Sequence, residues 1–159
     1  MIHAAIALGT NLGDLEANIQ EALRLLDGNA GKVLRTSSCF KTEPWGFHSK
    51  NPFLNAVAVI GTELSPGRLL DVLQRIEWDM GRRQKSIDGQ YHDRIMDLDI
   101  LFYGDTVLET SRLRIPHPLM ERRSFVLDPL FEVCPQWVHP VLKKTVAEIR
   151  EDFLNSKPN

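Results

Sequence analysis

Arg94-Ile95-Met96-Asp97-Leu98-Asp99-Ile100-Leu101-Phe102 begins with a cation and becomes an apolar run broken by two carboxylates at i and i+2. In a strand, alternate side chains share a face. Asp97 and Asp99 then lie side by side, while Leu98, Ile100 and Phe102 point to the other face. Two bare carboxylates in an apolar strand repel each other and are costly to desolvate. Solvent and Arg94 can compensate them. So can a pair of Mg²⁺ ions, an arrangement that suits phosphate chemistry.

Upstream, Gly81 to Arg94 is a basic, polar loop that feeds directly into the acid pair. Before it, Ser65-Pro66 starts a helix as a cap followed by Pro at the first helical position. Leu69, Leu73, Ile76 and Met80 form its apolar stripe, and Gln74 and Glu77 flank that stripe, ordinarily the solvated side. Phe53 to Thr62 is a strand. Its one early polar residue, Asn55, carries an amide that suits either a flat heterocycle or nearby backbone. Glu43 to Pro52 holds two prolines, Trp45 and Phe47 outside any period, as a mobile aromatic flap would or as rings tucked back on to the domain. Lys32 to Thr42 reads as a strand, Leu15 to Leu26 as a helix ended by Gly28, and Ile2 to Leu8 as a buried strand. Gly9-Thr10-Asn11-Leu12-Gly13-Asp14 between them is turn chemistry, with Asn11 or Asp14 as cap.

Downstream, Tyr103-Gly104-Asp105-Thr106 predicts a hairpin turn, with Val107 and Leu108 opening a return strand. Arg112 and Arg114 share one face of an extended segment, and Pro116 and Pro118 fix the path around His117. Glu121 to Cys134 reads as a helix broken near Pro129, with Arg122 and Arg123 in its first turns. Thr145-Val146-Ala147-Glu148 is a capping box that opens a last helix through about Phe153. The order βαββαβ, then a hairpin and C-terminal helices, predicts an α+β fold. The expected core is ferredoxin-like, an antiparallel sheet with helices on both faces in three layers, α/β/α. That fold names no function by itself.

The chain's 159 residues predict one domain, 1–159, large enough for a real core. A net charge of −2 argues against a general nucleic-acid binder. Yet eight of the nineteen Lys and Arg residues fall between positions 82 and 123, which fits a local site for a small polyanion. Cys39 and Cys134 form no redox or metal motif and read as small buried residues of a reducing compartment. No run is long enough for a membrane span, and the apolar N-terminus lacks a basic region, so a cytoplasmic protein is expected. The absence of heptads or a long apolar patch points to a monomer.

The motifs occur in a set order. Gly9-Thr10-Asn11-Leu12-Gly13 is followed by Thr42-Glu43-Pro44-Trp45-Gly46 and Asn51-Pro52-Phe53-Leu54-Asn55-Ala56-Val57. Ile76-Glu77 with Gly81-Arg82 precedes Arg94 to Leu101. Arg112-Leu113, Ile115-Pro116-His117-Pro118 and Glu121 to Leu127 complete the set. In this the chain resembles the 6-hydroxymethyl-7,8-dihydropterin pyrophosphokinase family of folate biosynthesis, from about residue 3 to 150.

The resemblance implies pyrophosphoryl transfer from ATP to the pterin hydroxymethyl group, with AMP released. It implies that Asp97 and Asp99 hold two Mg²⁺ ions, and that Arg82 and Arg94 join them in catalysis. Gln74, Glu77, Lys85, Arg94, Ile100, Arg112, Arg114, His117 and Arg123 surround the nucleotide by the same pattern. Phe53 and Phe125 sandwich the pterin, Asn55 and Asp97 meet it, and Thr42, Pro44 and Trp45 line its edge. The 82–94 loop departs from the family: Gln84 replaces a second Arg, with Arg83 displaced by one, and Tyr91-His92-Asp93 replaces Trp-Gly-Pro. The pattern therefore leaves the phosphate contact open among Arg82, Arg83 and Lys85. Two other readings stand beside this one. One is a non-catalytic nucleotide-, pterin- or RNA-binding module on the same fold. The other is another Mg²⁺-dependent nucleotidyl or phosphoryl transferase.

Overall fold

The computed structural model describes residues 1–42, 52–81 and 95–156. Its sheet runs β2 (Lys32–Thr36), β4 (Phe53–Thr62), β1 (Ile2–Thr10), β5 (Asp97–Tyr103), with β3 (Phe40–Thr42) also on β4. Every pairing is antiparallel. With α1 (Leu15–Asn29) after β1 and α2 (Pro66–Asp79) after β4, this is the ferredoxin-like βαββαβ order.

Alternation along the strands splits the core in two. Ala4, Ile6, Leu8, Ala56, Ala58, Leu98 and Ile100 face α1 and α2, where Ile19, Leu26, Leu69, Leu73 and Ile76 meet them. Ala5, Val57, Val59 and Leu101 face the opposite layer of α3 (Ser124–Val133) and α4 (Val146–Ser156). Three layers, α/β/α, result as expected.

The starts of α1, α2 and α4 follow the capping chemistry. Asp14 accepts the Ala17 N–H at 3.1 Å, Ser65 accepts from Arg68 at 3.4 Å, and Thr145 and Glu148 cap each other. The α1 helix leaves helical geometry at Asp27 and Gly28, where φ is +96° at the glycine.

Four local expectations need correction. Phe102 does not share a face with Leu98 and Ile100. The β1–β5 register pairs Ala5 with Phe102 but Ile6 with Ile100, so Leu101 is an extra residue, a bulge. The bulge turns Phe102 to the α3/α4 side, where its ring stacks on Trp137 at 5.1 Å. The second strand is broken, because Ser37 and Ser38 divert the backbone. Ser37 Oγ accepts the Val57 N–H at 2.9 Å, and the Ser38 hydroxyl donates to Glu132 of α3 at 2.8 Å. Leu108 does open a short strand, β6 (Leu108–Glu109), but it pairs with β7 (Arg114–Ile115) rather than returning along β5. Finally, the segment from Met120 breaks at Arg123, not Pro129. Arg123 is extended (φ −125°, ψ 107°), between a 3₁₀ turn at Met120–Arg122 and α3. The helix then runs on through Pro129, giving up one backbone bond.

Candidate active site

The α3/α4 face of the sheet carries a polar end. At the end carrying the start of β4 and β5, the register forms one row across the strands: Phe40, Asn55, Gly9, Asp97. Directly opposed residues share a face, so Asn55 and Asp97 flank a position that has no side chain. A Cβ on Gly9 would meet Asn55 Oδ1 at 3.3 Å and Phe53 Cδ1 at 3.9 Å. The next row is Val57, Ala7, Asp99, again with a small residue in the middle. Phe53 lies on this face two residues before Asn55, and Thr42 is its partner on β3. Phe125, near the start of α3, packs against the core of the same side. Asn55 is 7% exposed and donates to the Phe40 carbonyl at 3.3 Å, so one of its two N–H groups serves backbone.

A concavity of about 560 Å³ runs along the outer edge of β5, within the range of small-molecule sites. Gln74 and Glu77 line it from α2, and Asp97, Asp99 and Ile100 from β5. Arg112, Arg114 and His117 close it from the β6–β7 side. Asp97 and Asp99 therefore line the edge cleft and also lie on the sheet face that carries Asn55. Arg112 donates to the carboxylate of Asp71 and, at 3.3 Å, to Gln74 Oε1.

The bulge at Leu101 has a use here. Its carbonyl accepts the His117 N–H at 3.0 Å, tying the Pro-His-Pro segment to β5. His117 Nδ1 accepts the Leu119 N–H at 3.4 Å, so a neutral ring carries its proton on Nε2. Burial, and then the neighbouring Arg123, hold this imidazole below its ordinary range, while Asp97 and Glu121 pull the other way. Arg123 itself is not among the residues lining the cleft; its guanidinium carbon lies 5.7 Å from the centre of the Phe125 ring.

The donor chemistry fits Mg²⁺. Among the described residues no group of three or more His, Cys, Asp or Glu side chains gathers as a metal cage. Mg²⁺ ordinarily takes one or two carboxylates and fills its remaining positions with substrate phosphates and water. Asp97 and Asp99 beside an arginine-lined cleft are such a donor set.

Of the sequence-predicted residues, Gln74, Glu77, Asp97, Asp99, Ile100, Arg112, Arg114 and His117 converge on the cleft. Phe53, Asn55 and Thr42 gather on the adjacent sheet end. Pro44, Trp45, Phe47, Arg82, Arg83, Lys85 and Arg94 lie outside the described residues, as do the proposed flap and basic loop. Leu70, Thr110 and Ser111 line the cleft without having been singled out. The signal for Leu70 was there: with Gln74 and Glu77 it makes a second stripe at i, i+4, i+7. Glu77, on a flank that is ordinarily solvated, is 6% exposed. Cys39 is exposed, contrary to expectation. Cys134 is buried, and burial pushes its thiol up to about 12. No helix of the described residues is long and apolar enough to cross a membrane.

The sheet edge thus joins a cation-lined cleft to paired carboxylates, and the family match makes the chain an ATP-dependent diphosphotransferase. Residues 5–135 match the model of 7,8-dihydro-6-hydroxymethylpterin-pyrophosphokinase (HPPK), and the chain belongs to that family. It is 45% identical over 136 residues to the 2-amino-4-hydroxy-6-hydroxymethyldihydropteridine pyrophosphokinase of Porphyromonas gingivalis, covering 85% of this chain and 92% of that one. Against the Haemophilus influenzae protein of the same name it is 40% identical over 158 residues, covering 99% and 96%. A solved HPPK-DHPS in complex with substrates superposes with a TM-score of 0.75 at 15% identity, covering 98% of this chain and 44% of that one. For Plasmodium falciparum HPPK-DHPS A437G with SDX-DHP the TM-score is 0.77 at 19% identity, covering 97% and 46%. The chain spans under half the length of those solved chains, and at such identities they establish the fold alone.

Proposed function

We propose that this chain transfers the β,γ-pyrophosphoryl group of ATP to the hydroxymethyl oxygen of 6-hydroxymethyl-7,8-dihydropterin, its step in folate biosynthesis. Family membership supports the reaction class. The observation that carries the site assignment is that Asp97 and Asp99 line the edge cleft and also lie in adjacent rows of one sheet face, Asp97 in the row with Asn55. A nucleotide in the first and a flat ring on the second would meet at the acid pair.

In this reading the nucleotide lies along β5, with Gln74, Ile100 and Glu77 beside it. Arg112, Arg114 and His117 direct N–H donors at phosphate oxygens, as charge-assisted bonds require. Arg123, whose charge His117 feels, contributes beside it, and by the family resemblance Arg82, Lys85 and Arg94 join them. The pterin lies over Gly9 with its edge on Asn55 and Asp97, between Phe53 and Phe125, with Thr42, Pro44 and Trp45 at its rim. Asp97 and Asp99 hold two Mg²⁺ ions, which when bound neutralise phosphate charge and acidify the attacking hydroxyl. The pterin oxygen forms a bond to the β-phosphorus. The bond from that phosphorus to the α–β bridging oxygen breaks, the oxygen leaves with AMP, and the hydroxyl proton passes to solvent. The chain's own work is orientation: two rigid elements, β4 and β5, hold acceptor and donor at fixed separation. Such positioning accounts for up to roughly 7–11 kcal/mol of a barrier.

The deciding experiment is a product assay with ATP, Mg²⁺ and 6-hydroxymethyl-7,8-dihydropterin. Pterin-dependent AMP that vanishes with EDTA, and in Asp97→Ala and Asp99→Ala proteins that remain folded, is the expected result. ADP as product would keep the cation site and change the reaction class. Binding of both substrates with no turnover would make the chain a binding module.

A further inference from the structure

Helix α2 presents two stripes. Leu69, Leu73 and Ile76 enter the core, while Leu70, Gln74 and Glu77 face the cleft. Glu77 does more than face it. Its Oε2 accepts the Leu98 N–H at 2.7 Å, a bond that spans 21 residues of sequence. Leu98 is the residue between Asp97 and Asp99. Strand β5 is the last of its sheet, with β1 on its inner side. Because antiparallel backbone groups alternate in direction, the Leu98 N–H turns away from β1, towards a side where the described residues place no strand. The Glu77 carboxylate stands in for the missing strand at that one peptide. A carboxylate accepting an N–H makes a shorter and stronger bond than a neutral carbonyl does.

We propose that Glu77 is a positioning residue for the acid pair. By gripping the peptide between Asp97 and Asp99 it fixes the direction in which both carboxylates enter the cleft, and with it their affinity for a divalent cation. The inference rests on reading Asp97 and Asp99 as the cation-holding pair. It differs from the role implied by the family resemblance, in which Glu77 touches the nucleotide.

The test uses the full chain as wild type, Glu77→Leu, Glu77→Asp, Glu77→Gln and Asp97→Asn. Bound Mn²⁺ is read by electron paramagnetic resonance in the presence of a non-hydrolysable ATP analogue, and protection of the Leu98 amide by NMR hydrogen exchange. Removing the acceptor in Glu77→Leu should weaken Mn²⁺ binding 10–100-fold, the usual cost of losing a group that orients metal ligands. The Leu98 amide should exchange faster, and kcat should fall by more than the KM for ATP rises. Glu77→Asp keeps the charge but withdraws the acceptor by one methylene, so it should show the same losses and covers the case that the leucine protein does not fold. Glu77→Gln keeps an oxygen in place and should recover most of both readouts.

If Glu77→Leu and Glu77→Asp hold Mn²⁺ like wild type while Asp97→Asn loses it, the positioning role is wrong and the acid-pair reading survives. If Asp97→Asn also holds Mn²⁺ like wild type, the acid-pair reading itself fails. Loss of analogue affinity without metal, with Mn²⁺ binding unchanged, would make Glu77 a nucleotide contact instead.

Discussion

Gly9 has Asn55 on one side and Asp97 on the other, and the absence of its side chain is what leaves a floor between them. The constraint is steric rather than conformational. A methyl group there would press on Asn55 Oδ1 from 3.3 Å and disturb the amide that also donates to Phe40. Gly9→Ala should therefore weaken pterin binding by about fivefold to tenfold, the loss of roughly one hydrogen bond. ATP binding in the neighbouring cleft should hold. Separate calorimetric titrations of the two ligands check this, and an equal loss for both would mean that the floor is not specific to the pterin. Glu77 illustrates a limit at the same scale. Its stripe position and charge read as solvated surface, because its partner is a backbone N–H that no pattern in α2 could announce. Asp97 and Asp99 were legible because i and i+2 on a strand is a local geometry.

At the scale of elements, α2 and β5 are the pair that builds the cleft. Leu73 is fully buried between α2 and the sheet, on the stripe opposite to Gln74 and Glu77. Leu73→Ala should destabilise the chain by about 2–5 kcal/mol in urea unfolding, as large-to-small core changes do. A loss under about 1 kcal/mol would mean that α2 is not anchored by this stripe. The element order was readable from period and capping, and Ser65-Pro66 and Thr145-Val146-Ala147-Glu148 started helices as their chemistry requires. What was not readable depended on pairing. The bulge at Leu101 exists only relative to Ala5 and Ile6, yet it reverses Phe102 and frees the carbonyl that holds His117. The break at Ser37–Cys39 likewise needs Glu132, 94 residues away from Ser38.

For the molecule as a whole, two histidines among the described residues, His117 and His139, are held below their ordinary range and should couple stability to pH. His139 is buried, and its Nδ1 accepts the N–H groups of Val141 at 3.2 Å and Leu142 at 3.0 Å. Burial lowers its pKa from the ordinary 6.5, against a smaller pull from Glu121, and His117 is lowered as well. A base that binds its proton less tightly when folded adds stability above the unfolded value. That stability is lost as pH falls from about 6.5 through the folded value. Tm should therefore drop between pH 7 and pH 5, before most carboxylates titrate. In His139→Gln the drop should be smaller, with His117 contributing to what remains. Calorimetric scans across that window test the sign; an equal slope in both proteins would remove His139 from the account.

The two register slips along the β2–β3 margin carry a consequence for solubility. A sheet margin with a straight row of free N–H and C=O groups is a template on which another chain can add, the route to fibrils. Here Val33 and Arg35 already straddle one slip. Between Thr36 opposite Ala58 and Phe40 opposite Asn55, four steps on this margin match three on β4. No second molecule could keep in phase with such an edge for more than a few residues. At the opposite margin the Glu77 side chain occupies the Leu98 N–H. The folded chain should therefore stay dispersed at concentrations where a flat-edged sheet of similar size would assemble.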